Sequence, residues 1–180
     1  MKIHKDENWQ KPMVRLIVIV FILFTLFSCK ENNKPRFDKI IFHTSLCFGS
    51  CPVYHLELDK NKKVKLFAEL VYKNGDWAKY DTAKMGYFTG FASDTSFQRL
   101  SNIINNIGLD TIKYKAIACC DGAIKTIIMY QGSKRIYLKS MILPAKLNPL
   151  IDILHEICKT SALKRVHKRF KIEGESHLGY

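Results

Sequence analysis

Residues 39–70 read KIIFHTSLCFGSCPVYHLELDKNKKVKLFAEL and contain three predicted β-strands. Segments 39–44 and 53–58 are rich in β-branched, aromatic and leucine residues, and they flank a loop with two cysteines. Segment 63–72 has an apolar residue at every second position, the pattern of a strand with one buried face. Because 59–61, Asp-Lys-Asn, is a turn signal, we predict that the last two strands form a hairpin.

Beyond this stretch the sequence predicts a further strand and a helix. Residues 73–76 are typical of a turn, and 85–91 of a fourth strand. Ser93 or Asp94 can cap a helix that ends before Gly108. The apolar residues of this helix follow a spacing of three and four: Phe97, Leu100, Ile103, Ile104 and Ile107.

A second hairpin and a closing helix complete the prediction. Segments 124–130 and 135–139 are joined by a Gln-Gly-Ser-Lys turn, and the last helix spans about 145–158, with Pro149 tolerated in its first turn. The order of four strands, helix, two strands and helix predicts an α+β fold, a mostly antiparallel sheet of about six strands with two helices packed on one face. We expect a single domain at 38–158.

The N-terminal segment predicts a lipid anchor. Residues 16–29 form an apolar run that ends in Leu-Phe-Ser-Cys and is shorter than the about 20 residues that a membrane-spanning helix needs. Its ending resembles the box that bacterial lipoprotein processing cleaves and acylates. This resemblance implies a signal peptide at 1–28, palmitate-type acylation of Cys29 and a lipidated tether at 29–37.

An alternative for this segment is an uncleaved helix held by Arg15 and Lys11, and translation can start at Met1 or at Met13. Two or three acyl chains would hold the protein on the lipid bilayer permanently. Lys30 resembles the residue that follows the cysteine in outer-membrane lipoproteins. We therefore expect a lipid-anchored protein of the bacterial cell envelope, in the outer membrane, on its periplasmic or surface leaflet.

The chain is basic, with a formal net charge of +13, and much of that charge lies near its C-terminus. We predict a solvated or lipid-touching tail at 159–180, against the alternative of a folded element. Its basic residues would suit anionic lipid or an acidic glycan, although charge also serves solubility. Because we expect an extracytoplasmic location, we expect no nucleic-acid partner. The bases in question are Lys159, Lys164, Arg165, Lys168, Arg169 and Lys171.

Besides Cys29 the chain has cysteines that an oxidising compartment would turn into disulfides: Cys47, Cys51, Cys119, Cys120 and Cys158. Their odd number leaves at least one thiol without an internal partner. Gly49 and Pro52 suit a tight loop, so we expect a small structural disulfide between Cys47 and Cys51. The alternative is a redox pair, which lacks the helix N-terminus that lowers a thiol pKa.

Two sets of residues invite a metal site. His43, Cys47, Cys51 and His55 recur every four residues, as zinc ligands can, but strand-like flanks argue against one continuous helix. The second set is Cys119, Cys120, His155 and Cys158, and here we expect Cys158 to be a core residue or a disulfide partner of Cys119 or Cys120. We therefore assign no metal, no cofactor and no catalytic residue.

Other candidates for chemistry are weak. The sequence has no nucleophile elbow, phosphate loop or zinc-protease motif. Asp121 beside a cysteine pair could act as a base but is typical of turn chemistry. Trp77, Tyr80 and Tyr87 could stack on a sugar or peptide, and we expect them to pack on the sheet instead.

Residues 47–54, Cys-Phe-Gly-Ser-Cys-Pro-Val-Tyr, resemble the signature of an uncharacterised bacterial family, domain of unknown function 6438. The resemblance extends over about 38–158 and includes Gly86, Tyr114 and the helix with Phe97. It departs at 118–123, where family members tend to read Asp-Leu-Pro. The resemblance implies this fold and a secreted or lipoprotein setting, and it implies no catalytic residue, substrate or cofactor.

Together these observations predict a membrane-anchored envelope lipoprotein that is a non-enzymatic binding or interaction module. Its protein partner is not encoded in any motif. The alternative is a thiol- or metal-dependent envelope enzyme that uses Cys47 and Cys51 or the loop of Cys119 and Cys120.

Overall fold

The computed structural model describes residues 35–117, 119, 121–159 and 162–175. The helices are α1 (Asp94–Ile107) and α2 (Asn148–Lys159). The strands are β1 (Lys39–Thr44), β2 (Val53–Asp59), β3 (Lys63–Leu70), β4 (Tyr72–Lys73), β5 (Asp76–Tyr80), β6 (Gly86–Phe91), β7 (Lys125–Gln131), β8 (Lys134–Ser140) and β9 (Lys164–Val166).

Seven of these strands form one sheet in the order β8-β7-β1-β2-β3-β6-β9, and every neighbouring pair is antiparallel. Strands β4 and β5 form a separate two-stranded ribbon. The α+β class with a mostly antiparallel sheet and two helices is confirmed. The main sheet has seven strands rather than six because the C-terminal segment adds β9 at its edge.

The alternation of side chains along the strands gives the sheet two different faces. Ile40, Phe42, Leu56 and Leu58 point to one side and are buried in the main core together with apolar residues of both helices. We call this side the helix face. Residues between them, such as Ile41, lie on the opposite side and belong to a second, smaller cluster.

Both predicted helices are confirmed, and their ends are set by local chemistry. The Ser93 hydroxyl accepts a hydrogen bond from the Ser96 amide at 3.1 Å, which caps α1, and Gly108 ends it in the left-handed conformation with φ 60°. In α2 a short 3-10 turn, Ala145–Leu147, precedes the α-helix, so the helix proper starts at Asn148. Each helix turns one apolar stripe to the sheet.

The prediction of a solvated tail is wrong for the described part of 159–180. Lys164–Val166 pairs with β6 as β9, and residues 167–175, which we call the C-terminal arm, continue from it. Ile172 in the arm is fully buried against Ile41 and Ile128. Basic residues dominate this segment, but it fills the unpaired edge of β6 and covers apolar surface on the side away from the helices. We call that side the arm face.

The predicted signal peptide and Cys29 lie outside the described residues. Within the part of the chain that is described, no helix combines the length and the apolar character needed to cross a membrane.

Candidate functional site

The cysteine loop between β1 and β2 is closed by a disulfide. Cys47 and Cys51 are bonded, with Cα atoms 5.6 Å apart, so the predicted pairing of these two cysteines is confirmed. Gly49 sits between them at φ 151°, a conformation that L side chains rarely adopt. At the base of the loop the Thr44 hydroxyl donates to the Pro52 carbonyl at 2.8 Å. The loop is therefore held both across its tip and at its base.

Hydrogen bonds connect this loop to the segment before β7. The Phe48 amide donates to the Asp121 carbonyl at 3.0 Å, and the Ser45 amide donates to the Ile124 carbonyl at 3.0 Å. In return, the Ile124 amide donates to the Ser45 hydroxyl at 2.9 Å. Asp121 thus acts through its backbone in holding the cysteine loop.

A third segment, after β8, is joined to the same group. The Met141 amide donates to the Ile117 carbonyl at 2.9 Å, and the Ile117 amide donates to the Ser140 hydroxyl at 3.0 Å. The Tyr114 hydroxyl accepts from the Lys139 amide at 2.8 Å. Segments 45–52, 112–117, 121–124 and 140–144 therefore form one connected layer, which we call the loop end of the sheet.

Large apolar side chains project from this layer into solvent. Phe48 is 89% exposed and Ile142 is 54% exposed, and Leu46 and Ile117 are also exposed. None of these four stood out in the sequence as a functional candidate. The available signal was the presence of bulky apolar residues inside segments that otherwise have loop character, such as Phe48 beside Gly49.

The β4–β5 ribbon, whose turn lies beside the cysteine loop, carries two exposed aromatic residues. A Cβ on Gly75, at the turn of the ribbon, would lie 4.0 Å from the Ser50 hydroxyl. Trp77 is 72% exposed and Tyr80 is 57% exposed, so the expectation that they pack on the sheet is wrong for both. It is confirmed for Tyr87, whose ring stacks on Phe67 with centroids 4.4 Å apart. We call the loop end together with this ribbon the apolar end.

A cavity of about 780 Å³ opens at this end between segments 113–117 and 141–145 and the start of α2. Ile117 and Ile142 line it together with Lys113, Lys115 and Lys125. The Lys125 ammonium lies within 3.5 Å of the carbonyls of Ala123 and Met141. The cavity therefore combines apolar side chains with an excess of positive charge.

The two histidines of the first candidate metal set form a buried pair on the arm face. His43 and His55 are 6% and 2% exposed, and their Nδ1 atoms are 2.9 Å apart. The Nε2 atom of His43 lies 2.8 Å from the Glu173 carbonyl, and that of His55 lies 3.1 Å from the Glu69 carboxylate. A register shift leaves Glu69 as an extra residue in β3, next to His55 along the arm face.

The bonding partners indicate which ring nitrogens of His43 and His55 carry a hydrogen. A carbonyl only accepts, so His43 donates from Nε2 and, as a neutral ring, accepts at Nδ1. His55 then donates from Nδ1, and its Nε2 atom contacts the Glu69 carboxylate. Burial lowers the pKa of His43, in keeping with a neutral ring.

The candidate set of two cysteines and two histidines, to which the sequence analysis assigned no metal, is not brought together in this structure. The Cys47 and Cys51 sulfurs are bonded to each other, and the histidine rings bond to each other and to the arm. Among the described residues, no three His, Cys, Asp or Glu side chains are grouped to hold a metal ion.

Of the second set, the structure describes Cys119, His155 and Cys158. Cys158 is a buried free thiol on α2, so the alternative in which it pairs with Cys119 or Cys120 is not the arrangement present. Burial raises the pKa of this thiol. Cys119 is exposed, and Cys120 lies outside the described residues. His155 contacts the rings of Phe42 and Tyr54, and burial lowers its pKa to about 4.

The sequence was compared with models of known protein families, and one of them matches. The model of the family described as domain of unknown function (DUF6438) matches residues 38–158. The chain belongs to this family. Its match contains the cysteine loop, the layer around it and both helices. No curated protein matches the sequence.

Proposed function

We propose that this chain is a lipid-anchored protein of the bacterial cell envelope, and that its domain is a non-enzymatic module that binds a partner protein through the apolar end. The anchor is supported by the apolar run at 16–29 and by the cysteine that ends it. The basic residues Lys168, Arg169 and Lys171 are exposed and remain available to anionic lipid or an acidic glycan.

The observation that carries the binding proposal is the clustering of exposed apolar side chains. Among the described residues, eight large hydrophobic side chains are exposed, and six of them belong to the apolar end: Leu46, Phe48, Trp77, Tyr80, Ile117 and Ile142. Single exposed apolar residues are ordinary, whereas a group of them on one surface is typical of an interaction site. Aromatic residues are also the side chains that most often dominate binding energy.

The loops that carry these residues are fixed rather than loose. The disulfide holds the cysteine loop, and backbone hydrogen bonds join Phe48 to Asp121 and Met141 to Ile117. A surface that is ordered before binding loses less conformational entropy when it binds. The exposure of Phe48 is therefore compatible with a prepared contact surface.

Two features favour a protein over the membrane as the occupant. Strand β1 is six residues long, about 20 Å, and runs from the predicted tether towards the loop end. The loop end therefore lies at the opposite end of β1 from Lys39. The cavity beside Ile142 is also concave and lined by Lys113 and Lys115, which suits a segment with apolar residues flanked by acidic ones.

The test is photo-crosslinking of the full-length chain in intact cells. A photoreactive phenylalanine analogue replaces Phe48 or Trp77, and the controls place it at Phe91 or Tyr137, which are 64% and 47% exposed outside the apolar end. We expect one discrete protein adduct from the two test positions, absent from the controls and lost in an Ile142→Asp background. Lipid adducts, or the same adducts at Phe91 as at Phe48, would contradict the proposal.

A further inference from the structure

A second cavity lies where α2 ends, away from the cavity at the loop end. It has a volume of about 480 Å³, within the range of roughly 300–1,000 Å³ that small-molecule sites occupy. Its walls come from the cysteine loop, the β4–β5 ribbon, strands β3 and β6 and the last residues of α2. The space exists because α2 ends at Lys159, so its apolar stripe does not continue over this part of the sheet.

The interior of this cavity is apolar and uncharged. Leu66, Val71 and Phe88 provide aliphatic and aromatic surface. Uncharged polar side chains also line the cavity: Ser50, Tyr54, Tyr72 and Cys158. Burial raises the pKa of Tyr54 to about 12, and it also raises the pKa of the Cys158 thiol. Both groups are therefore neutral at physiological pH and can take part only as hydrogen-bonding groups of low polarity.

Charge at the mouth is positive. Lys84 and Lys159 both line the cavity and are exposed. Lys84 pairs with Asp81 at 2.8 Å, and Lys73 also lies close enough to Asp81 to lower the pKa of that carboxyl. Because Lys84 is paired with Asp81, Lys159 gives the cavity lining its net positive charge.

We propose that this cavity is a binding site for a small carboxylate with an aliphatic body. The aliphatic part lies against Leu66 and Phe88, and the carboxylate lies at the rim, near Lys159. Removing the aliphatic part from water supplies most of the affinity, and the lysines select for the negative charge. The cavity borders the apolar end, since Ser50 and Gly75 line it, but the proposed ligand lies against Leu66, Phe88 and Lys159, which are not among the exposed apolar residues of that end.

Cys158 can report on this site: its buried, neutral thiol reacts only in the fraction of molecules in which the end of α2 opens, so an occupant of the cavity should slow the reaction. The full-length chain in lipid nanodiscs is treated with a small methanethiosulfonate reagent, and modification of Cys158 is followed by peptide mass mapping with rising octanoate. We expect octanoate to slow this modification saturably. 1-Octanol has the same chain length without the charge and should protect at least about fivefold less well.

Variants separate the two parts of the proposal. Lys159→Glu should raise the half-protective octanoate concentration at least about fivefold, whereas Lys168→Glu, an exposed lysine outside the cavity, should not change it. Ala83→Trp places a large side chain in the cavity wall and should abolish protection. Equal protection by octanoate and octanol, an unchanged Lys159→Glu variant, or no protection of Cys158 by octanoate would each overturn the proposal.

Discussion

The two faces of the sheet are covered in different ways. On the helix face, two regular helices bury aliphatic side chains such as Leu56, Leu100 and Leu154. On the arm face, an irregular segment of the chain covers a mixed surface in which only Ile41, Ile128 and Ile172 form a fully apolar cluster. The difference shows that one face of a sheet can be stabilised by non-directional apolar burial and the other by specific polar contacts.

The arm face is organised by rings and charges. An aromatic row crosses the strands, in which His55 stacks on Phe67, Phe67 on Tyr87, and Tyr87 meets Phe170 of the arm. Beside it, Glu173 of the arm accepts hydrogen bonds from the Tyr130 hydroxyl and the Lys39 ammonium. The position of the arm is therefore set by directional contacts that depend on protonation.

The largest expected effect comes from a cavity on the helix face. Leu154→Ala removes a fully buried side chain from α2, and the regular helix cannot move in to fill the space. We expect a loss of about 3 to 4 kcal/mol in the free energy of unfolding, measured by urea denaturation. A loss below about 1 kcal/mol would mean that the helix layer is not the main source of stability.

Acid should weaken both faces. The pKa of His155 on the helix side is about 4 and that of His43 on the arm face is lowered, both from 6.5, so the unfolded chain binds these protons more readily. Stability is therefore lost as the pH falls below 6.5. Between pH 7.5 and pH 5 we expect a loss of about 2 to 3 kcal/mol in the free energy of unfolding.

Substitution shows which face responds to acid. His155→Leu should remove more than half of this pH dependence, measured by urea denaturation at the two pH values. On the arm face, the buried His43 is the histidine whose pKa is lowered from its ordinary value. An undiminished loss in the His155→Leu variant would assign the acid sensitivity to the arm face instead.

The arm itself should give a smaller and more local effect. Ile172→Ala removes its fully buried anchor, but the arm can detach while the sheet and helices stay folded. We expect the global free energy of unfolding to fall by about 2 kcal/mol or less. Limited proteolysis should cut within 167–175 several-fold faster, and Lys168→Ala, at an exposed position in the same segment, serves as the control.

The helix face and its elements could be predicted from sequence because the information is local. The alternation in 63–70 predicts its own strand, and Ser93 and Gly108 predict the two ends of α1. The arm could not be predicted in this way. Ile172 stands between Lys171 and Glu173, and its burial depends on contacts with Ile41 and Ile128, far away in the sequence.

The candidate site shows the same division. The cysteine loop and its disulfide could be predicted from residues 47–52, since a Gly and a Pro at those places suit a tight turn. The exposed position of Phe48 could not, because the Phe48 backbone is held by a hydrogen bond to Asp121, which is distant in the chain. The cavity at the end of α2 combines Ser50, Leu66 and Cys158, and no local pattern relates them.

The disulfide lies in the loop between β1 and β2 and belongs to neither face. Its removal should therefore lower the stability of both faces equally. Cys47→Ser with Cys51→Ser opens a short loop, which constrains the unfolded chain only slightly, so we expect a loss of about 1 to 2 kcal/mol in the free energy of unfolding. The loss between pH 7.5 and pH 5 should stay unchanged, because the histidines keep their partners.

The same variant bears on function. Under the binding proposal, the crosslinked adduct at Phe48 should weaken in step with the ordering of the loop, and the adduct at Trp77 should persist because the ribbon has its own strand pairing. Hydrogen exchange of the amides in 45–52 measures that ordering. Complete loss of function in a variant whose stability and loop protection are unchanged would instead point to chemistry at the two sulfurs, and so to the thiol-dependent alternative.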